Sequence, residues 1–169
     1  YGQDKPLLAN LAMPNGIQDA RGYDSVIPKQ YADYMGLIEG QGSLLYNRIG
    51  DITWSGNLDS QLLDLLGVKY VVTSQTIPNA GFTLVYTDGM RIYRNDDVLP
   101  RAFVVYEARL TYPADAARWT EDLKSLNPRQ TVLLEDAAAL RPATAAAGAS
   151  AGTAEIAEYG ANQVTVSAT

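Results

Sequence analysis

The most recognisable catalytic pattern in the chain is GASAG at 148–152, which matches the G-x-S-x-G turn that carries the nucleophile of serine hydrolases. In those enzymes a strand precedes the turn and a histidine activates the serine. Here the pattern lies in an alanine-rich stretch with no predicted strand before it, and the chain contains no histidine. We therefore interpret it as a loop of small residues.

Paired carboxylates offer a second chemistry, because two acidic groups about 5 to 10 Å apart across a sugar can hydrolyse a glycosidic bond. Asp96–Asp97 and Glu135–Asp136 are adjacent in sequence, and adjacent side chains on a strand point to opposite faces. Asn95, Asp96 and Asp97 also lack the alternating ligand spacing of a calcium loop. We expect no catalytic residue, no metal and no cofactor in this chain.

A polar cluster around one aromatic residue stands out in QDARGYDS at 18–25. Asp19, Arg21, Tyr23 and Asp24 have the composition of a polar recognition surface. The same residues would equally suit a structural loop held by arginine–carboxylate bonds. Both interpretations remain open at the sequence level, and these four residues are the predicted substrate-binding surface.

Two further arginines flank the charged stretch in RIYRNDDVLPRAFVV at 91–105. Pro100 lacks the amide donor that a central strand position needs, so the stretch between the apolar runs is predicted to be a turn. Arg94 and Arg101 are predicted as supporting charges of the recognition surface. Each would pair with acidic side chains of the 18–25 loop.

The composition of the chain excludes or disfavours several further classes of function. The 169 residues are 47% hydrophobic, enough for a core, and they contain no cysteine, which removes thiolate chemistry, disulfides and the usual zinc sites. The 19 acidic and 13 basic residues give a net charge of -6, which disfavours nucleic acid as a partner. No apolar run approaches the roughly 18 to 20 residues of a membrane span. The chain begins with Tyr1 and ends in VTVSAT, within a predicted strand, so we expect a piece of a longer polypeptide.

The elements that must position these residues follow from periodicity and turn signals. Helices are predicted at 28–39, between Pro28 and Gly40, at 58–66 with Asn57 as cap, and from Pro113 to about 125. Strands are predicted at 68–74, 102–110 and 131–135, the last two joined by a right-handed parallel crossover. FTLVYTDGMRIYRN is predicted as a hairpin with a type I′ turn at Asp88-Gly89, and 153–169 as a second hairpin around Gly160.

These elements predict an α+β fold with a mixed β-sheet, about three helices and a C-terminal β-hairpin region. The predicted organisation is an α+β domain at 1–136, an alanine-rich linker or loop at 137–152, and a hairpin segment at 153–169 whose second arm is cut by the end of the chain. The linker is assigned because nine alanines in sixteen residues, with Pro and Gly among them, cannot form a packed face.

Three ordered segments, ANLAMPNGIQDARGYDSVIP, LLDLLGVKYVV and YRNDDVLPRAFVV, resemble the extracytoplasmic part of the YfhO family of bacterial polytopic membrane proteins. The resemblance covers about residues 7–135 and extends weakly through the final hairpin. The matching positions are Asn10, Gly16, Asp19, Gly22, Tyr23, Asp24, Ser25, Leu65, Gly67, Val68, Tyr70, Val71, Tyr93, Arg94, Asn95, Leu99, Pro100, Arg101 and Ala102.

The resemblance implies an extracytoplasmic domain of a membrane-embedded, glycosyltransferase-like protein that uses a polyprenyl-phosphate sugar. The catalytic acid of such enzymes lies near the first membrane helices, so no catalytic residue carries over. The domain would orient an acceptor glycan or cap the membrane site, with the transmembrane part of the same polypeptide and a glycan as partners. The alternatives are a stand-alone carbohydrate or protein interaction module and a soluble acidic glycosidase.

Overall fold

The computed structural model describes residues 8–40, 48–139 and 152–169, which divide into two compact units, Tyr1–Val98 and Leu99–Thr169. Unit 1 contains β1 (Gly22–Tyr23), α1 (Lys29–Glu39), β2 (Arg48–Ile49), α2 (Gln61–Leu65), β3 (Tyr70–Thr73), β4 (Phe82–Asp88) and β5 (Met90–Asn95). Unit 2 contains β6 (Glu107–Leu110), α3 (Ala116–Lys124), β7 (Thr131–Leu134), β8 (Ala154–Tyr159) and β9 (Val164–Ala168).

The first predicted helix is confirmed as α1. Pro28, whose ring fixes φ, caps its start, and Gly40 ends it in the left-handed conformation with φ 68°. Met35 and Ile38 are buried on its inner side. Glu39, its last residue, accepts hydrogen bonds from the Thr53 amide at 2.7 Å and from Asn57 Nδ2 at 2.9 Å. These bonds fasten the end of α1 to the segment that follows β2.

The second predicted helix is shorter than expected and has a different cap. A 3-10 turn covers Ser55–Asp59, and α2 starts only after Ser60, whose Oγ accepts from the Leu62 amide. Asn57 is not the cap, because its side chain is committed to Glu39. Leu62 and Leu63 are buried.

A three-stranded antiparallel sheet with order β3-β5-β4 forms the centre of unit 1. The 82–95 hairpin is confirmed, but the type I′ turn is wrong. Asp88 pairs directly with Met90, and Gly89 at φ 70° is the one turn residue with positive φ, whereas type I′ needs two. One sheet face buries Val71 and Tyr93 in the core.

Unit 2 confirms the strand–helix–strand order, with β6 and β7 paired in parallel and α3 between them. The predicted strand at 102–110 is wrong for 102–106, because β7 offers only four residues to pair with and β6 is limited to Glu107–Leu110. The helix begins at Ala116 rather than at Pro113, because Asp115 caps it by accepting from the Arg118 amide.

Polar side chains hold α3 against β6. Thr111 Oγ1, directly after β6, donates to Asp122 Oδ2 at 2.8 Å, and Arg109 Nη2 donates to the Asp122 carbonyl at 2.7 Å. The positively charged guanidinium near the C-terminal end of α3 also interacts favourably with the helix dipole. Leu123 and Leu126 bury the apolar side of this contact.

The C-terminal hairpin is confirmed as β8 and β9, in antiparallel register from Ala154↔Ala168 to Tyr159↔Val164. The α+β class is therefore confirmed, with parallel and antiparallel pairings in separate small sheets. The predicted linker lies largely outside the described residues, apart from a 3-10 turn at Ala137–Ala139. The assignment of 137–152 as a linker, and of 1–136 as one domain, stays a prediction.

Candidate functional site

A two-stranded pairing positions the predicted recognition loop in unit 1. Gly22 pairs with Ile49, and Tyr23 pairs with Arg48, in an antiparallel arrangement of β1 and β2. Ile49 is only 1% exposed, so the pairing is anchored in the core. The loop backbone is thus fixed at its centre, on a part of the chain that sequence reasoning had assigned to irregular structure.

Arg21 lies between two carboxylates at the base of this loop. Its Nε and Nη2 donate to the two oxygens of Asp19 at 3.1 and 2.7 Å, and its Nη1 donates to Asp51 Oδ1 at 2.5 Å. The Arg21 amide also donates to Asp19 Oδ1 at 2.9 Å. These hydrogen bonds to Asp19, with the charges of both carboxylates, raise the pKa of Arg21 against the opposing effect of burial. The guanidinium is a structural crosslink between loop and β2 end.

Two neighbours complete this crosslink. Arg48 Nη2 lies 3.6 Å from Asp51 Oδ2, so Asp51 serves two arginines. Tyr31, on α1, donates its hydroxyl to the Ala20 carbonyl at 2.5 Å, and burial together with the charge of Asp19 raises its pKa. Helix α1, strand β2 and the loop are therefore joined around a single half-buried ion cluster.

The backbone of Tyr23 is held by hydrogen bonds, and its ring is exposed to solvent. Asn10 Nδ2 donates to the Tyr23 carbonyl at 2.7 Å, and the Tyr23 amide donates to Asn10 Oδ1 at 3.3 Å. Asn10 adopts φ 69°, a left-handed conformation that asparagine tolerates better than most residues. The Tyr23 side chain nevertheless remains 59% exposed. An aromatic ring therefore projects from a backbone that is fixed on both sides.

Asp24, next in the chain, shapes the end of the loop. Its Oδ1 accepts from the Val26 amide at 3.2 Å and from Ser25 Oγ at 3.3 Å, the bonds of an Asx turn. The residue is exposed. Among the described residues, Asp24 forms no ion pair with an arginine, in contrast to Asp19.

Several large apolar side chains are exposed in the same stretch of chain. A series of short turns folds residues 8–17 so that Ala12 is buried while its neighbours point outward. We call this group the apolar rim; its members are Leu8, Leu11, Met13, Ile17 and Val26. Val26 is the most exposed, at 80%.

The charged stretch after β5 is a structural turn. Asn95 is 2% exposed, and its side-chain Nδ2 donates to Asp64 Oδ1 at 2.7 Å and to the Val68 carbonyl at 3.1 Å, while its Oδ1 accepts from the Asp97 amide at 3.0 Å. The sequence prediction of a turn at this place is confirmed by that geometry. The turn forms here because the buried side-chain amide of Asn95 finds hydrogen-bond partners in three separate parts of the chain.

Arg94 does not pair with the loop as predicted, whereas the pairing predicted for Arg101 stays a prediction. Arg94 Nε donates to Asp96 Oδ1 at 2.7 Å within its own turn, so its predicted pairing with residues 18–25 is wrong. Arg94 pairs with Asp96 because this carboxylate is only two residues away, so the pairing does not require a long loop of chain to close. Arg101 belongs to unit 2, where its guanidinium lies 5.9 Å from the ring centroid of Tyr159. A binding role for either arginine stays a prediction.

Sequence reasoning missed Asn10, Arg48 and Asp51 as partners of the loop. Asn10 carries a weak signal, since an asparagine between apolar residues is a common choice for a left-handed turn. Asp51 carries none, because it lies thirty residues from Arg21 in the chain. Only the pairing of β1 with β2 brings it within reach.

Within residues 8–40, 48–139 and 152–169, the structure contains no group of three metal-ligating side chains and no helix of the length and apolarity needed to cross a bilayer. Comparisons of the chain with protein families, with curated proteins and with solved structures found no match.

Proposed function

We propose that this chain is a non-catalytic extracytoplasmic domain of a membrane-embedded, glycosyltransferase-like protein, and that it orients an acceptor glycan through the surface around Tyr23. The domain would lie on the outer face of a bacterial plasma membrane, anchored by transmembrane helices elsewhere in the polypeptide. Asp24 and the ring of Tyr23 form the contact surface, and Asp19 and Arg21 support it from below.

The single observation that carries the proposal is the exposed ring of Tyr23 on a backbone that Asn10 holds in place. A tyrosine ring offers an apolar face for stacking and a hydroxyl for a hydrogen bond, which suits a sugar. Because Asn10 holds both the amide and the carbonyl of Tyr23, little backbone freedom is lost on binding. Pre-organisation of this kind raises affinity without enlarging the contact area.

The segments that carry the YfhO resemblance lend support, because several of their matching positions are bonded to one another in unit 1. Asn10 and Tyr23 come from the first segment and are bonded together. The second and third segments meet where β3 pairs with β5, and where Asn95 donates to the Val68 carbonyl. Matching positions thus hold hydrogen bonds within a folded unit, as expected when a resemblance reflects shared architecture.

The chemistry of the loop favours binding over catalysis. Asp19 and Asp51 are both engaged by Arg21, so neither carboxylate is free to act as a nucleophile or base. Asp24 accepts hydrogen bonds from its own turn. The groups around Tyr23 are therefore placed to hold a ligand and not to transfer protons.

The test is an NMR titration of the chain with a panel of cell-wall glycans, performed on the unaltered protein and on Tyr23→Ala. We expect saturable shifts at residues 10–26, and binding weaker by up to about tenfold in the variant, the size of one aromatic stacking contact. Arg21→Ala is a poor probe, because it leaves Asp19 and Asp51 without their crosslink.

Tyr112→Ala is the matched control, since Tyr112 is 46% exposed, lies in unit 2 and contacts Arg118, which is not a predicted site residue. It should leave the titration unchanged. Equal losses in both variants, or no shift with any glycan, would contradict a glycan site at Tyr23.

The apolar rim favours a second candidate function, in which the same surface rests on the transmembrane part of the polypeptide and caps its site. Five large apolar side chains are exposed between residues 8 and 26, and groups of exposed apolar side chains commonly mark contact surfaces. Sequencing the gene on both sides separates the readings. Several apolar segments of about 20 residues support the membrane protein, and their absence supports a stand-alone interaction module.

A further inference from the structure

The two strands of the C-terminal hairpin differ in how their outer edges are protected. Strand β8 carries Glu155 and Glu158, and its register shifts between Ile156 and Glu158, which marks a bulge. Charges and bulges are the usual devices that stop an exposed edge from pairing with another chain. Strand β9, with the sequence VTVSA, has no charge, no proline and no bulge of its own.

The hydrogen-bond register shows which backbone groups of β9 face outward. Thr153 and Thr169 exchange both of their hydrogen bonds at 3.0 Å, and Gly160 donates to the Gln163 carbonyl at 2.8 Å at the other end of the hairpin. Because bonded and non-bonded pairs alternate along an antiparallel ladder, Val164, Val166 and Ala168 direct their amides and carbonyls away from β8.

No backbone hydrogen bond from the described part of the chain reaches this outer edge, and all five residues of β9 are exposed. The three outward residues therefore present a row of unpaired donors and acceptors. A row of this kind is a template for another extended strand.

We propose that the outer edge of β9 pairs with β9 of a second copy of this chain, antiparallel and about a two-fold axis at Val166. In this register Val166 lies opposite Val166, and Val164 lies opposite Ala168. Each outward residue then meets another outward residue and exchanges both of its hydrogen bonds. No other residue of β9 is needed, so the edge is complementary to itself.

Side chains and charge favour this pairing over the other possible edges. Val164, Val166 and Ala168 share one face, so the pairing extends an apolar row across the two copies. Pairing through β8 would instead bring Glu155 and Glu158 of two copies together, and each copy already has a net charge of -6. The uncharged edge is the one at which two identical acidic molecules can approach.

The strand contact alone is small, so the dimer should be weak. The area that five residues per copy can bury lies below the roughly 1,200 Å² of a standard stable interface. We expect dissociation constants of the order of 0.1 to 1 mM, in the range of transient association.

The experiment is sedimentation equilibrium from about 10 µM to 1 mM on four samples. These are the unaltered chain, Val166→Lys, Val166→Glu, and an equimolar mixture of the two variants. Because residue 166 opposes itself, each variant places like charges together and should dimerise about tenfold more weakly. The mixture places Lys against Glu, and its dimerisation should return to at least the level of the unaltered chain.

Ala157→Lys is the control, since it adds the same charge at an exposed position on β8. It should leave the dimer intact. A chain that is monomeric over the whole range overturns the proposal, as does a dimer that persists in both Val166 variants. So does a mixture that stays monomeric, which would show that the variants act through the fold and not through the opposed pair.

Discussion

The hairpins β4–β5 and β8–β9 have the same plan and opposite surroundings. Both are antiparallel, both close on a glycine-containing turn, and both have one register shift. Strand β5 has β3 on its other side, whereas β8 and β9 have only each other among the described residues. Tyr93 in β5 is 4% exposed, and every residue of β9 is exposed.

The difference shows which part of a hairpin is local. Alternation and the turn residues predict the pairing in both cases. Burial comes from elsewhere in the chain. In unit 1 it is supplied by β3 and by Asn95, which joins the end of β5 to residues that precede β3.

The largest expected effect breaks the buried hairpin at its core. Tyr93→Ala should lower the free energy of unfolding of unit 1 by about 3 to 5 kcal/mol, because a buried aromatic side chain is removed. Tyr159→Ala in the exposed hairpin should cost less than about 1 kcal/mol, since it loses mainly the contact with Arg101. Urea titrations followed by amide signals of each hairpin measure both values, and equal losses would refute the contrast.

A smaller loss of stability is expected from removing the buried side-chain amide of Asn95. Asn95→Ala removes three hydrogen bonds made by a buried side chain, among them those with Asp64 and with the Asp97 amide, so it should cost about 2 to 3 kcal/mol. The same urea titration measures it. Asn162→Ala, in the exposed turn of the other hairpin, is the control and should change stability by no more than about 0.5 kcal/mol.

The turn glycines of the two hairpins, Gly89 and Gly160, should also differ in how much a substitution lowers stability, although by less than the core residues do. Gly89 has φ 70°, so Gly89→Ala forces a side chain into the left-handed region and should cost about 1 kcal/mol although its Cβ meets nothing within 4 Å. Gly160 has no positive φ, and Gly160→Ala should be nearly neutral. Thermal unfolding of both variants tests this, and a neutral Gly89→Ala would show that the turn relaxes.

The smallest effect is electrostatic. The Thr83 hydroxyl, at 2.5 Å, and then Arg94 hydrogen-bond to Asp96 and lower the pKa of its carboxyl. A lowered pKa contributes stability that is present above the unfolded-state pKa and is lost as pH falls through the folded-state pKa, below about pH 4. Thr83→Val should raise the pKa of Asp96 toward its ordinary value, as followed by carboxyl-carbon NMR. An unchanged titration would assign the shift to Arg94 instead.

Elements specified by nearby residues could be predicted from the sequence. Pro28 and Gly40 bound α1, the alternating residues on each side of Asp88-Gly89 give a hairpin, and the β6–α3–β7 order gives a parallel pair. One error arose where a residue had two possible roles. Asn57 could cap α2 or bind Glu39, and the choice depends on where α1 ends in space.

The candidate site was predictable in composition and not in arrangement. The sequence pointed to Asp19, Arg21, Tyr23 and Asp24. It could not show which of these residues crosslink the loop and which form its exposed surface. That separation depends on Asp51 and Asn10, which approach only through β1–β2 pairing and a left-handed turn. Partners thirty residues apart leave no periodic signal in a single sequence.

The ties that hold unit 1 together have a consequence for how the chain folds during synthesis. Arg21 reaches Asp51, Tyr34 donates to the Leu62 carbonyl, and Asn95 reaches Asp64, over separations of 30, 28 and 31 residues. Loops of this length close at a modest cost in entropy, and the first two spans overlap while the third begins after them in the chain. Unit 1 can therefore assemble progressively as it leaves the ribosome, and pulsed hydrogen exchange on stalled chains would reveal protection spreading from α1 toward β5.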